Sequence, residues 1–295
     1  MKNCKIIAIG DNVCDKYLSR GKMYPGGQCV NTCVYAKMNG MDTAYLGKYG
    51  SDEVAVYVQK ILAQLEIDDS HSRRFHGENG FALVTLQNND RVFLGSNKGG
   101  IAKENPFDFT TEDMDYIKQF QLIYTNLNSY IEDNLIELEE TGVPIAYDFS
   151  TRWTDEYFEK VCPHITVAIL SCAHLTPEKR EEEMKKVQAY GVSIVLGTIG
   201  EDGSYALYKN EYIFAPAVHA DDVIDTMGAG DSYFAAFLCS LLEDSKTGQL
   251  VEGTDEVMIT RLKTAMNRGA EFSVKVCALE GAFGYGTPIE GKTEV

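Results

Sequence analysis

Apolar residues along the chain fall into short β-branched runs separated by longer stretches of helical periodicity, which is the pattern of strands alternating with helices. KIIAIG (5–10) is an apolar run closed by glycine and predicts a buried strand feeding a loop at its carboxyl end. After DNVCDKYLS and the turn-rich YPGG, a small-residue stretch from Gln28 to Met38 has helical period, and TAYLGKYGSD (43–52) repeats strand and loop before a helix over about Glu53 to Leu65. Between about 70 and 95 the texture changes to SHSRRF, FALVTLQ and RVFLG around a tight turn at Asn88, Asn89 and Asp90. Asn and Asp tolerate the positive φ that hairpin turns need, so an accessory sheet is expected, either a mobile lid or a plain edge hairpin. The βα alternation resumes with QLIYTN, VPIAYDFS, TVAILSC and VSIVLGTIG, followed by strand runs around SYALYK and YIFAPA. TPEKREEEMKKVQAYG has Thr176-Pro177 and Gly191 as start and stop signals around a solvated, charged helix face. Two long helices, about 229–243 and 255–277, close the chain. Strands alternating with helices predict an α/β fold with a doubly wound, mostly parallel sheet flanked by helices, and place ligands beyond the strand carboxyl ends. No repeat, low-complexity tract or linker divides the sequence, so a single domain over 1–295 is expected, with lid segments at approximately 13–25 and 70–97.

Composition narrows the function classes. Hydrophobic residues at 44% and charged residues at 24% are the balance of a soluble globular protein. A net charge of −17 argues against nucleic acid and anionic membrane as partners, because both require basic surface. The eight cysteines form no CxxC pair and have no histidines at ligand spacing, which argues against zinc. Cys29 and Cys33 share a helix face as small buried thiols. Without a signal peptide or an apolar run of ~18 residues, reduced thiols in a cytoplasm are expected.

The chemistry concentrates in IDTMGAGDSYFAAFLCSLL (224–242), where Gly228, Ala229 and Gly230 precede Asp231 and an apolar helix. The first N–H groups of a helix lack intrahelical partners and carry the positive dipole end, so this turn can form an anion hole for a phosphoryl group. Asp231 is then either a general base beside that hole or a simple helix cap. A third glycine of GxGxxG is missing and no GK[ST] follows, which excludes the Rossmann and Walker A readings. GDNVCD (10–15) supplies Asp11, Asn12 and Asp15 directly after a strand, as acceptors for sugar hydroxyls or as a polar loop. TIGEDGSY (198–205) reads by itself as a turn into the next strand.

Taken together, DTMGAGD resembles the C-terminal signature of the ribokinase-like (phosphofructokinase-B) carbohydrate kinases, and GGQCVN with LGKYGSD resembles their N-terminal signature. The resemblance covers nearly the whole chain. It implies a ribokinase-like fold with a small β-sheet lid and ATP-dependent phosphorylation of a sugar hydroxyl. Asp231 would be the base, and the backbone of Gly228, Ala229 and Gly230 would stabilise the transferring phosphate. It further implies sugar contacts from Asp11, Asp15, Gly26, Gly27 and Asn31, and nucleotide contacts from Thr198, Gly200 and Gly203. Small residues over 270–286 would wall the adenine. Mg2+ would accompany ATP, and Asp225 and Thr226 match positions that help hold a monovalent cation, K+, in some members. One departure is SCAH (171–174) where the family carries NxxE, so that Ser171 and His174 replace the Asn and the metal-organising Glu; Glu178 is a candidate substitute. Within the family, GDNVCDKY, NDRVF, AYDFS and IDTMGAGDS most resemble the bacterial fructoselysine 6-kinases, which implies a fructosamine acceptor, with Arg91, Arg152 and Trp153 as candidates for its far end. Fructose, ribose and nucleosides are the alternative acceptors, a non-catalytic binding relative is the alternative class, and a homodimer through the lid is a further implication.

Overall fold

The computed structural model describes residues 4–87, 90–219, 222–245 and 247–294, without the side chains of residues 86, 87, 90 and 91. The first half of the chain runs β1 (Lys5–Gly10), β2 (Val13–Tyr17), β3 (Lys22–Gly26), α1 (Gln28–Met38), β4 (Asp42–Tyr49), α2 (Glu53–Gln64), β5 (Arg73–Arg74), β6 (Gly80–Gln87), β7 (Asp90–Ser96), α3 (Ile101–Glu104), α4 (Thr111–Ile117) and β8 (Leu122–Asn126). The second half runs α5 (Leu135–Glu139), β9 (Ile145–Asp148), α6 (Asp155–Val161), β10 (Val167–Ser171), α7 (Pro177–Ala189), β11 (Ile194–Thr198), β12 (Ser204–Tyr208), β13 (Glu211–Ala215), α8 (Ala229–Glu243), α9 (Asp255–Cys277) and β14 (Thr287–Pro288).

A nine-stranded sheet has the order β13-β12-β11-β10-β9-β8-β1-β4-β5. Its strands run parallel except for the antiparallel β11-β12-β13 meander. Its inner strands are buried on both faces, which is why runs such as KIIAIG are continuously apolar rather than alternating. One face packs against α1, α2, α8 and α9 through residues such as Val34, Leu62, Phe234 and Leu262. The other packs against α4 to α7 through Ile117, Leu138, Phe158 and Met184. Helix α8 is buried all round from Ser232 to Leu242, as expected of a helix covered by others. It can approach α9 closely because a Cβ at Gly269 would stand 2.9 Å from the Tyr233 carbonyl oxygen.

A second sheet of five strands, β14-β3-β2-β6-β7, stands beyond the large one. Its make-up corrects the expected lid segment at 70–97. Arg73 and Arg74 of SHSRRF pair with Lys48 and Tyr49 at the edge of the large sheet, not with the hairpin. The reason is an anchor on the body: the Arg73 guanidinium and His71 Nδ1 both meet the buried Asp113 carboxylate of α4. The small sheet instead recruits Thr287 and Pro288, which pair with Met23 and Lys22. The hairpin turn itself, Asn88 and Asn89, lies outside the described residues.

Candidate active site

Most helices have side-chain caps. Asp52, Thr110, Thr154, Thr176 and Thr254 accept N–H bonds at the starts of α2, α4, α6, α7 and α9. Helix α1 begins at Gly27 with no cap of its own. Asp11 supplies one from the end of β1: Oδ2 accepts from Gln28 N at 2.9 Å and Oδ1 from Cys29 N at 3.0 Å, while Asn126 Nδ2 donates to Oδ1 at 2.7 Å. Asp11, expected at a sugar hydroxyl, is thus turned into the protein. A Cβ on Gly27 would come within 3.0 Å of both Asp11 Oδ2 and the Asn12 backbone, so glycine is needed there for the close approach.

At the start of α8 the arrangement differs. Gly228 takes a left-handed φ of 74° and no side chain caps the helix. A Cβ there would stand 2.2 Å from Tyr35 Oη, which is held by its hydrogen bond to the Ala282 carbonyl at 2.6 Å. Gly230, one residue into the helix, faces open space. The uncapped turn therefore leaves backbone N–H groups and a positive dipole end beside the open space at Gly230. Ala229 N donates to the Thr226 carbonyl at 3.3 Å, closing the turn behind them.

Asp231 sits half-buried in the first turn of α8, and its Oδ2 accepts from Asn31 Nδ2 at 2.6 Å. That bond fixes the Asn31 amide and leaves Oδ1 a buried acceptor with no hydrogen bond. Gly26 lies beside it: a Cβ on Gly26 would be 2.9 Å from Asp15 Oδ2 and 3.6 Å from Asn31 Oδ1. Asp15 from β2, Gly26 from β3, Asn31 from α1 and Asp231 from α8 therefore converge, with two acceptor oxygens and a bare backbone around one space. A polyhydroxylated ligand suits such a space, because a buried orphan acceptor costs about 1–3 kcal/mol until a donor reaches it.

Three residues of this floor were not singled out from the sequence. Asp148, at the carboxyl end of β9, is buried and accepts from Ser150 N at 2.6 Å. Burial, reinforced by the charge of Asp231, pushes its carboxyl up to about 8. Gln28 faces Asp148, favouring its ionised form, and accepts from Asn128 Nδ2 at 2.7 Å, and Arg152 in turn donates to Asn128 Oδ1. The available signal was position: Asn126 and Asp148 are polar residues ending apolar strand runs, where doubly wound sheets place ligands.

TIGEDG forms a tight turn at the end of β11, with Ile199 N bonded to the Gly203 carbonyl at 2.9 Å. Gly200 and Gly203 have φ of 64° and 118°, and a Cβ on Gly203 would strike the Ala215 carbonyl at 2.3 Å. Thr198 pairs with Ser204, whose hydroxyl meets Tyr233 Oη of α8 at 2.6 Å, so this turn lies beside the first turns of α8. Ser171 is the register partner of Thr198 on β10, which sets SCAH at the same sheet end. His174 packs on Trp153, and Glu178 is exposed in the first turn of α7. Among the described residues no group of three or more His, Cys, Asp or Glu is placed to hold a metal.

Other expected contacts fall elsewhere. Asp225 is engaged on both oxygens, by Met227 N, Gly281 N and the Arg20 guanidinium, so the pair with Thr226 does not offer a free carboxylate to a monovalent cation. Trp153 donates to Glu183 Oε2 at 3.0 Å and stacks on Phe158, a bracket between α6 and α7. Arg91 stands on β7 opposite Leu86, and its side chain lies outside those described. All eight cysteines are free thiols, and among the described residues no helix is long and apolar enough to cross a membrane.

Comparisons with known proteins agree with this architecture. Residues 3–254 match the pfkB family carbohydrate kinase model. Fructosamine kinase FrlD of Bacillus subtilis (strain 168) is 36% identical over 285 residues, covering 96% of this chain and 94% of that one. Fructoselysine 6-kinase of Escherichia coli (strain K12) is 33% identical over 234 residues, covering 79% and 88%. In fold, a putative ribokinase II from E. coli, solved in complex with ATP and Mg2+, superposes with a TM-score of 0.74 at 15% identity, covering 95% and 94%.

Proposed function

The chain belongs to the pfkB family of carbohydrate kinases, and from that premise we propose that it transfers the γ-phosphoryl group of ATP to the 6-hydroxyl of fructoselysine or a related fructosamine. The observation that carries the reading is the Asn31–Asp231 hydrogen bond at the foot of an uncapped α8, with Asp15 and Gly26 against the same space. Asp231 accepts the proton of the acceptor hydroxyl as its oxygen bonds to the γ-phosphorus and the bond to the leaving ADP oxygen breaks. The backbone N–H groups at Gly228 to Asp231 bind the negative charge spread over the phosphoryl oxygens. Asn31 holds the base in place and turns its free carbonyl to a substrate hydroxyl, and Asp15 accepts another. Asp11 acts through α1, fixing the helix that carries Asn31.

ATP lies in this reading along Thr198, Gly200 and Gly203 towards α8. Mg2+ would come with the nucleotide substrate, held chiefly by phosphate oxygens and water, and among the described residues no group of three or more His, Cys, Asp or Glu is placed to hold it instead. The five-stranded sheet serves as a lid over the acceptor. Relatives above 30% identity that are named for fructosamine and fructoselysine support this acceptor class, and the carboxylates of Asp15 and Asp231 suit an acceptor that carries a protonated amine.

ADP release measured against fructoselysine, other fructosamines, fructose, ribose and nucleosides tests the acceptor. Fructoselysine or a close fructosamine should give the highest kcat/KM, and preference for free fructose, ribose or a nucleoside would remove the acceptor assignment while leaving the kinase. Asp231→Asn should lower kcat by about 10²–10⁴-fold with nucleotide affinity retained. Unchanged turnover in that variant would remove Asp231 as the base.

A further inference from the structure

Asp225 stands six positions before Asp231 and its side chain is only 1% exposed. Its Oδ1 accepts from Met227 N at 3.1 Å, and its Oδ2 accepts from Gly281 N at 3.2 Å. The backbone N–H groups of Ile224 and Asp225 both donate to the Cys277 carbonyl, at 2.8 and 3.1 Å. Asp225 thus clamps the 224–228 turn onto the 277–281 turn, and the clamp sets the left-handed Gly228 that starts α8. Beyond its two backbone donors, a carboxylate this buried is stabilised further by a positive charge in contact with it. The described structure supplies one from the small sheet: Arg20 Nη1 lies 3.2 Å from Asp225 Oδ2.

Arg20 is held ready for that contact. It occupies the turn between β2 and β3, where its N–H bonds the Tyr17 carbonyl at 3.0 Å. Its guanidinium lies over the Tyr17 ring at 5.1 Å, and its side chain is 20% exposed. A guanidinium keeps its charge at any working pH and can be neither leached nor exchanged as a bound ion can. We propose that Arg20 is a positioning residue that supplies in cis, from the lid, the positive charge that supports the phosphoryl-binding turn through Asp225, making phosphoryl transfer independent of K+ and tying the shape of the anion hole to the seating of the lid. The inference rests on the reading of Gly228 to Asp231 as the phosphoryl site.

The test uses the full chain in a K+-free and Na+-free buffer, with choline chloride holding ionic strength constant. In the wild-type protein, exchanging choline for K+ should leave kcat unchanged and the thermal midpoint unmoved. Arg20→Ala should lose about tenfold to a hundredfold in kcat, the range expected when a reacting geometry slips by a fraction of an ångström to an ångström. The same variant should gain what the wild type lacks: recovery of turnover by K+ or by free guanidinium, and a K+-specific rise in thermal midpoint. Arg20→Lys should retain most of the activity. Strong K+ activation of the wild type would overturn the proposal, since a cation would then occupy the place assigned to Arg20. So would an Arg20→Ala protein with normal kcat, or one whose loss neither K+, guanidinium nor lysine restores. The thermal shifts are read without an acceptor sugar, so a wrong acceptor assignment leaves that arm of the test standing.

Discussion

Asp148 and Asp231 are both aspartates at the sheet's ligand end, yet their surroundings separate them. Asp148 is enclosed, and burial with the nearby Asp231 charge pushes its carboxyl up from 3.8 to about 8. Between those two values the native state holds a proton that the unfolded chain has released, so this group's contribution to stability is fully present below about pH 4 and is lost as pH rises through about 8. Asp148→Asn imitates the protonated form and can still accept from Ser150 N. Its thermal midpoint should therefore match the wild type under acidic conditions and exceed it increasingly as pH climbs towards about 9. A difference between the two proteins that stays flat with pH would mean that Asp148 ionises as an ordinary carboxylate. Sequence reasoning assigned Asp11 to the sugar because spacing alone does not separate a carboxylate facing a ligand from one capping a helix 17 positions away. Gln28 and Asn128 were silent for a related reason: their meaning comes from a contact across 100 positions.

The two ends of α8 and α1 show how elements, not single side chains, make the site. Strands and helices with strong periodicity were legible within a residue or so, because burial on two faces leaves continuous apolar runs and amphipathic helices carry start and stop signals. SHSRRF and the final Thr287–Pro288 strand were not, since two residues of pairing leave no period to read and their place is set by an anchor on α4 and by the free edge of β3. The glycines of GAG also look alike in sequence but differ in the fold. Gly228→Ala forces a Cβ to 2.2 Å from Tyr35 Oη at a φ of 74°, so it should destabilise the protein by about 1–3 kcal/mol and lower turnover with it. Gly230→Ala meets nothing within 4 Å. It should leave stability within about 1 kcal/mol of the wild type, since alanine is the better helix former. If the phosphoryl group approaches that backbone, kcat should nevertheless fall by roughly tenfold or more. Urea unfolding and ADP release measured on both variants separate the effects, and full turnover in Gly230→Ala would remove the close-approach role of this glycine.

At the scale of the whole molecule the small sheet is bound to the body at several points, and its two edges are treated unequally. Lys22 and Tyr24 of β3 both reach Glu280 Oε2, at 3.1 and 2.8 Å, close to where Arg20 meets Asp225. Buried Lys16 of β2 donates to the carbonyls of Glu290 and Lys292, both at 2.7 Å, which draws the C-terminal segment across the sheet. That segment covers the β3 edge with β14. The opposite edge, β7, ends the sheet and exposes Phe93 by 62% and Leu94 by 51%. An apolar edge strand left open invites pairing with another strand, and in a soluble protein such edges are usually charged, shortened or covered. No segment of the described chain covers this one, so a second copy joined across β7 is the cover we expect, with the same strand contributed by both protomers about a twofold axis. Light scattering at micromolar concentration should then give twice the 32.8 kDa of the chain. Phe93→Asp should yield a folded monomer, because a charge on the strand penalises the pairing but touches no core. With the lid no longer braced by its partner, that monomer should show a raised KM for the acceptor and a largely preserved nucleotide affinity. A wild type that is monomeric throughout, or a Phe93→Asp protein that remains dimeric, would place the interface elsewhere.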